Sequence, residues 1–200
     1  MEMLRTKPTT PEEVTDYWKG VFSEAEDRTG IQVVVPNCDL SSEEIQRSML
    51  AYEGHEIAGI IVPRVPKLSV SSLRLIYPSM GGALSHDKIR DAAKFSVTGW
   101  LKVYEEASGF GRYKDSISYF AREQGYHLAK MDEYVLGAQV YRDFHGRYPD
   151  MPPAWIQLGD PAIYRNGTYP QAGFDPDGSF RTRLAIPFNV KLGYRLVASM

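Results

Sequence analysis

The N-terminal third of the chain alternates helical and extended patterns. Apolar residues recur at helical spacing over residues 10–30, between a Thr-Pro-Glu-Glu start and a glycine stop. A second helix is predicted over 41–54, where Ser-Ser-Glu-Glu repeats the capping signal. Short apolar runs rich in β-branched residues predict strands over 31–35, 56–62 and 69–77. This order of elements is typical of helices and strands packed in mixed layers.

The middle third is predicted to be helical. Helical spacing continues from Ser85 to Gly109, and Gly99 in its interior favours a kink or a close contact. Two further helices are predicted over 116–124 and 128–144, with Gly125 and Gly146 as their stops. Together these segments predict a helical subdomain over residues 85–146.

A proline-rich stretch divides the chain. Residues 148–153 read Tyr-Pro-Asp-Met-Pro-Pro and predict a boundary between a core, residues 1–150, and a C-terminal arm, residues 151–200. Within the arm, Asn166-Gly167 and Asp175-Pro176-Asp177-Gly178 are turn signals, the first typical of a two-residue hairpin.

The arm also carries the most regular pattern in the sequence. Apolar and polar residues alternate over 180–195, which predicts an extended ribbon with one apolar and one basic face. Pro187 has no amide hydrogen, so this ribbon is expected to be an edge strand or to break there into two strands. The predicted fold class is α+β: a small mixed sheet with flanking helices, a helical middle segment and a β-rich C-terminal arm.

Composition and charge narrow the classes of function. The 200 residues are 43% hydrophobic and 24% charged, as in globular proteins. The net charge of −2 disfavours a body that coats nucleic acid or an anionic membrane. Residues 1–40 carry 4 basic and 8 acidic side chains, whereas residues 151–200 carry 5 and 3. An acidic N-terminal helix and a basic arm can therefore attract each other, within one chain or between copies.

The termini and apolar runs bear on location. The N-terminal residues contain no apolar segment typical of a signal peptide, and no apolar run is long enough to span a membrane. We therefore expect a protein of the cytoplasm or of a virus particle, without a membrane partner.

Few residues indicate catalytic chemistry. Cys38 precedes a predicted helix, but no local motif links it to His55, His86, His127 or His145. The histidines stand singly, so neither a metal site nor a cofactor is predicted, and the nucleotide-binding and nucleophile-elbow glycine motifs are missing. A small hydrolase or transferase stays an alternative, and it requires a pocket lined by at least two of these five side chains.

A second alternative is nucleic-acid binding. Residues 117–136 have the spacing of a helix-turn-helix, with Gly125 at the turn, although a structural helical hairpin explains the same pattern. The basic ribbon of the arm is the other candidate surface for nucleic acid.

The favoured hypothesis is assembly. Tyrosine and arginine dominate protein interfaces, and an extended ribbon can dock on a neighbour. We therefore predict a non-enzymatic structural protein that oligomerises, or docks in a larger complex such as a virus particle, through the arm. The residues expected at the contact are Tyr164, Tyr169, Arg181, Arg183, Lys191 and Arg195.

Overall fold

The elements of the chain alternate between helices and short strands. The structure is a computed structural model that describes residues 5–49, 58–68, 70–77, 94–107, 114–152, 154–159, 168–185 and 192–200. Its helices are α1 (Pro11–Thr29), α2 (Ser42–Met49), α3 (Val70–Ile76), α4 (Lys114–Glu123) and α5 (Met131–His145). Its strands are β1 (Gln32–Val34), β2 (Gly59–Pro63), β3 (Lys94–Ser96), β4 (Trp100–Tyr104), β5 (Tyr126–Leu128), β6 (Trp155–Gln157), β7 (Tyr169–Phe174), β8 (Phe180–Ala185), β9 (Leu192–Tyr194) and β10 (Leu196–Ser199). The predicted α+β class with a strand-rich C-terminal region is confirmed.

Helix α1 begins and ends at the predicted residues. The Oγ1 atom of Thr10 accepts a hydrogen bond from the Glu13 amide (3.2 Å), and the Glu13 carboxylate accepts one from the Thr9 amide (2.7 Å). At the other end, Gly30 has φ +71°, a left-handed conformation that glycine adopts without strain. Between these caps the helix buries an apolar stripe that includes Trp18.

The strands form three sheets. Strands β1 and β3 pair in parallel, and an antiparallel sheet has the order β2-β4-β10-β5. The third sheet has the order β8-β7-β6-β9 and is mixed, because β6 and β9 are parallel whereas its other pairs are antiparallel. Strand β10 lies between β4 and β5, so the end of the chain completes a sheet that begins in the N-terminal half.

The strand predicted over Ser69–Tyr77 is wrong, because residues 70–76 form helix α3. Its apolar side chains Leu73 and Ile76 are buried, and their spacing of three residues matches a helix packed on one face. Helix α3 contacts α1 and α5, so tertiary packing overrides the strand-like composition of this segment.

The helix predicted over 85–109 is also wrong within the described residues, where β3 and β4 occupy 94–104. Strand β4 lies between β2 and β10, and Trp100, Leu101 and Val103 are all buried. A strand covered on both faces is apolar along its length and lacks the alternation that identifies a half-buried strand. Residues 85–93 and 108–109 lie outside the described part.

The predicted helix-turn-helix over 117–136 is wrong, and so is the helical hairpin, because strand β5 separates the two helices. Gly125 does turn the chain, with φ +76°. Residues 126–128 then pair with β10, and the first turns of α5 are buried, including Met131 and Tyr134. Helix α5, to which the prediction assigned recognition of a nucleic-acid groove, is therefore buried at its start.

The turn and ribbon predictions of the arm are confirmed where the chain is described. Residues 175–178 form the turn of the β7–β8 hairpin, and Gly178 has φ +86°. Strand β8 lies at an edge of its sheet, as predicted for part of the 180–195 ribbon. The predicted break at Pro187 and the predicted turn at Asn166-Gly167 lie outside the described residues.

The hydrophobic core extends across the predicted 150/151 boundary. Ile60 and Val103, which precede the boundary, belong to the same buried cluster as Phe174 and Phe180, which follow it. The ring of Tyr148 stacks on Phe174 with centroids 4.2 Å apart. Removing residues 151–200 would therefore strip part of the core as well as strand β10.

Candidate interaction surface

One face of the C-terminal sheet carries two cross-strand rows of polar and aromatic side chains. Strand β7 lies between β6 and β8, and side chains two residues apart along a strand share a face. The pairing registers therefore place on this face Trp155, Gln157, Gln171, Gly173, Arg181 and Arg183.

Two arginines stack on one tryptophan in this face. The guanidinium carbons of Arg181 and Arg183 lie 4.2 Å and 4.0 Å from the centroid of the Trp155 ring. Strand β7 contributes Gly173 beneath them, where an added Cβ would lie 3.2 Å from the Nε atom of Arg181. The glycine thus leaves room for Arg181 to cross the strand. We call Trp155, Arg181 and Arg183 the tryptophan–arginine cluster.

Buried amides hold the arginines in place. The Nε atom of Arg183 donates to the Oε1 atom of Gln171 (2.8 Å), and the Nε2 atom of Gln171 donates to the Oε1 atom of Gln157 (3.4 Å). Gln157 in turn donates to the carbonyl of Pro170 (3.2 Å). Because both glutamines are fully buried, this chain of hydrogen bonds positions Arg183 on a rigid base.

The cluster carries positive charge that the described residues balance only in part. Arg181 donates to the carbonyl of Ala154 (2.8 Å), and its Nε atom lies 3.6 Å from the carboxylate of Asp175. Arg183 has no carboxylate within ion-pair distance in the described ranges. Partial burial, and then the charge of Arg181, lower the pKa of Arg183. A carboxylate brought from outside would relieve this repulsion.

The exposed side of α1 carries the opposite charge. Its exposed carboxylates are Glu12, Glu13, Asp16, Glu24, Glu26 and Asp27. None of them forms an ion pair with a described basic side chain, and no described hydrogen bond joins α1 to β8. The acidic helix and the basic strand predicted from the sequence therefore do not neutralise each other through such bonds within the chain.

The remaining predicted contact residues have different surroundings. Tyr169 is half-buried at the start of β7, opposite Ala185. Tyr164 and Lys191 lie outside the described residues. Arg195 is buried inside the chain, where its guanidinium bonds both carboxylate oxygens of Asp150 at 2.8–2.9 Å. Arg195 is therefore an internal ion-pair partner and is not part of the tryptophan–arginine cluster.

The candidate catalytic residues are not brought together where they can be located. Cys38 is buried beside α1, its amide donates to the Oγ1 atom of Thr15 (2.8 Å), and burial raises the pKa of its thiol. His127 lies in β5, and its Nε2 atom contacts the carboxylate of Glu133 in the first turn of α5. His145 is the last residue of α5, roughly 20 Å away along the helix axis.

His55 and His86 lie outside the described residues. Among the described residues, no three histidine, cysteine, aspartate or glutamate side chains converge as metal ligands.

None of the described helices combines the length and the apolarity needed to span a membrane.

Sequence reasoning did not single out Trp155. Its signal was the apolar run that follows the Pro-Pro pair, but nothing in the sequence pairs this residue with Arg181 and Arg183, which are 26 and 28 positions away. Only the β6-β7-β8 order brings the three together.

Comparison with known proteins identified no matching family, no matching curated protein and no matching solved structure.

Proposed function

We propose that the protein is a non-enzymatic assembly protein whose copies associate head to tail. The tryptophan–arginine cluster of one copy docks on the acidic side of α1 in the next. The observation that carries the proposal is Arg183, a guanidinium fixed on a tryptophan ring, beside a second arginine and without a carboxylate among the described residues.

The residue types of the cluster support a protein interface. Tryptophan and arginine are the side chains most enriched among residues that dominate binding energy. Arg183 is held by Gln171, so little side-chain freedom remains to be lost on binding. Guanidinium groups also bind carboxylates through paired hydrogen bonds, which suits a helix rich in Asp and Glu.

The geometry of the pairing determines the kind of assembly. Two different surfaces of the same chain meet, so after the first contact one copy keeps a free acidic helix and the other keeps a free cluster. When the contact repeats from one copy to the next it produces closed rings or open filaments, whereas two copies that exchange both contacts form a two-fold dimer. The proposal therefore extends to a structural subunit of a larger complex.

Complementary charge reversal tests the proposal. One variant carries Arg183→Glu, and the other carries Asp16→Arg, Glu24→Arg and Asp27→Arg on α1. Arg183→Glu alone places a carboxylate against the acidic side of α1, and the α1 variant alone places arginines against the cluster, so each should be a monomer by light scattering. An equimolar mixture restores opposite charges at both kinds of contact and should recover the mass of the wild-type assembly.

A matched control separates a specific contact from a general effect of charge. Lys94 is exposed on β3, so Lys94→Glu makes the same change of charge on another strand and should leave the mass unchanged. Each variant is compared only if its circular dichroism equals that of the wild type. The proposal is wrong if either variant alone keeps the wild-type mass, or if the mixture stays monomeric.

Nucleic-acid binding by the same basic strand makes a different prediction. Binding would weaken with salt and with Arg181→Ala and Arg183→Ala, and the purified protein would carry nucleic acid visible in its ultraviolet spectrum. A wild type that remains a single chain and binds nucleic acid, with binding weakened by Arg181→Ala and Arg183→Ala, would contradict the assembly proposal.

A further inference from the structure

A second basic site lies at the start of α5, whereas the arm's hairpin turn lies near the end of that helix. A cleft of about 440 Å³ opens between the end of β2, helix α4 and the start of α5. Three cationic side chains line it: Arg64 directly after β2, Arg122 in the last turn of α4, and Lys130 directly before α5. They come from three separate elements, so only the folded chain brings them together.

The positive charge of this cleft is not neutralised by its own carboxylate. Glu133 is the one carboxylate among the described lining residues. Its oxygens lie 3.0 Å from the Nε2 atom of His127 and accept from the Lys130 amide at 2.9 Å. In the described part of the chain, Arg64, Arg122 and Lys130 have no side-chain ion pair. Such a charge excess in a concave site attracts anions.

Main-chain hydrogen bonds fix the backbone around the cleft. The Arg64 amide donates to the Gly99 carbonyl (2.8 Å), and the Arg64 carbonyl accepts from the Thr98 amide (2.9 Å). On the other side, the Gly159 amide donates to the Ala129 carbonyl (2.9 Å), next to Lys130. The cations therefore extend from a rigid frame rather than from a loose loop.

Aromatic rings border the charged groups. On α4, Ser118 and Arg122 are four residues apart and share a face, and Tyr119 lies beside Arg122 with the guanidinium carbon 5.7 Å from its ring. Tyr119 is 60% exposed. Tyr126 also lines the cleft and is half-buried. Because Tyr126 lines the cleft, a flat organic group can stack on its ring while an attached anion meets the cations.

We propose that this cleft binds the phosphate group of a small phosphate monoester. A phosphate carries close to two negative charges and three strong acceptor oxygens, which matches a triad of two arginines and one lysine. The volume of the cleft lies in the lower half of the range found for small-molecule sites, which fits a mononucleotide or a sugar phosphate. The proposal does not depend on assembly through the arm.

Calorimetric titration of the full-length protein tests the site. The probes are inorganic phosphate, ribose 5-phosphate, adenosine monophosphate and a short single-stranded oligonucleotide, all at about physiological salt. The monoesters should bind, and Arg64→Gln and Arg122→Gln should each weaken binding roughly tenfold or more, because each removes a charge-assisted hydrogen bond. Adenosine monophosphate should bind more tightly than ribose 5-phosphate if the base stacks on tyrosine.

The control is Arg47→Gln, which neutralises an exposed arginine on α2 and should leave binding unchanged. Three results would overturn the proposal: no binding of either monoester, equal binding by wild type and both cleft variants, or an oligonucleotide more than about tenfold tighter than the mononucleotide. The last result would assign the cleft to a polynucleotide backbone.

Discussion

Disruption of the buried ion pair between Asp150 and Arg195 should cost much of the stability of the protein. Arg195 donates three hydrogen bonds to the Asp150 carboxylate and one each to the carbonyls of Tyr104 and Glu105. The two side chains are only 5% and 6% exposed. The pair thereby ties the residue between β9 and β10 to the end of β4 and to the predicted boundary of the arm.

The magnitude follows from what each substitution leaves behind. Asp150→Asn keeps the shape and tolerates the φ of +54° at this position, but it leaves a buried guanidinium without a countercharge. Arg195→Met leaves the buried carboxylate and two carbonyls without their donor. Removing one partner of a buried pair costs about 3–5 kcal/mol, a large part of the stability of an ordinary domain.

The assay is equilibrium unfolding in urea, followed by tryptophan fluorescence, for both single variants and the double variant. The double variant should lose clearly less than the sum of the single losses, because no uncompensated charge stays buried. The exposed pair Arg47–Glu43 provides the control, and Arg47→Met should cost at most about 0.5 kcal/mol. Single losses below about 1 kcal/mol, or strict additivity in the double variant, would refute the role given to this pair.

Three other measurements test the described packing. The buried Cys38 thiol, whose pKa is raised by burial, should react with a disulfide reagent far more slowly in the native than in the denatured protein; equal rates would contradict its position. Gly159→Ala should lower the free energy of unfolding by about 1–3 kcal/mol, because the added Cβ would lie 2.3 Å from a main-chain oxygen. Gly20→Ala meets open space within α1 and should raise the free energy of unfolding by up to about 1 kcal/mol. Hydrogen bonds from Ser41 lower the pKa of Glu44 in the folded protein. The stability that these bonds contribute is therefore present above the pKa of Glu44 in the unfolded chain and is lost as the pH falls through its pKa in the folded protein. Ser41→Ala should raise the Glu44 pKa in an NMR titration.

Local signals in the sequence predicted the elements that depend on local chemistry. The ends of α1 and the start of α2 follow from capping residues that bond within four positions, such as Thr10 with Glu13 and Ser41 with Glu44. The Asp175–Gly178 turn is equally local. In contrast, β4 is a strand because it pairs with β2 on one edge and with β10 on the other. These partners lie about 40 and 95 positions away in the chain, so a short stretch of sequence around β4 cannot reveal them.

The candidate surface was predictable only in part for the same reason. The alternation over 180–195 correctly placed Arg181 and Arg183 on one face of a strand. That alternation also grouped Arg195 with them, but the chain leaves the sheet between β9 and β10, and Arg195 turns inward to Asp150. Trp155 joins the cluster through sheet order alone, which no periodicity encodes.

The mass of the protein in solution tests the assembly proposal most directly. Light scattering on full-length wild type and on Arg183→Glu, from micromolar to millimolar concentration, needs no knowledge of a ligand or an organism. The account predicts that the wild type exceeds the 22.6 kDa of one chain and grows with concentration, while Arg183→Glu stays at one chain. A wild type that remains a single chain throughout, or a variant that assembles equally well, would contradict it.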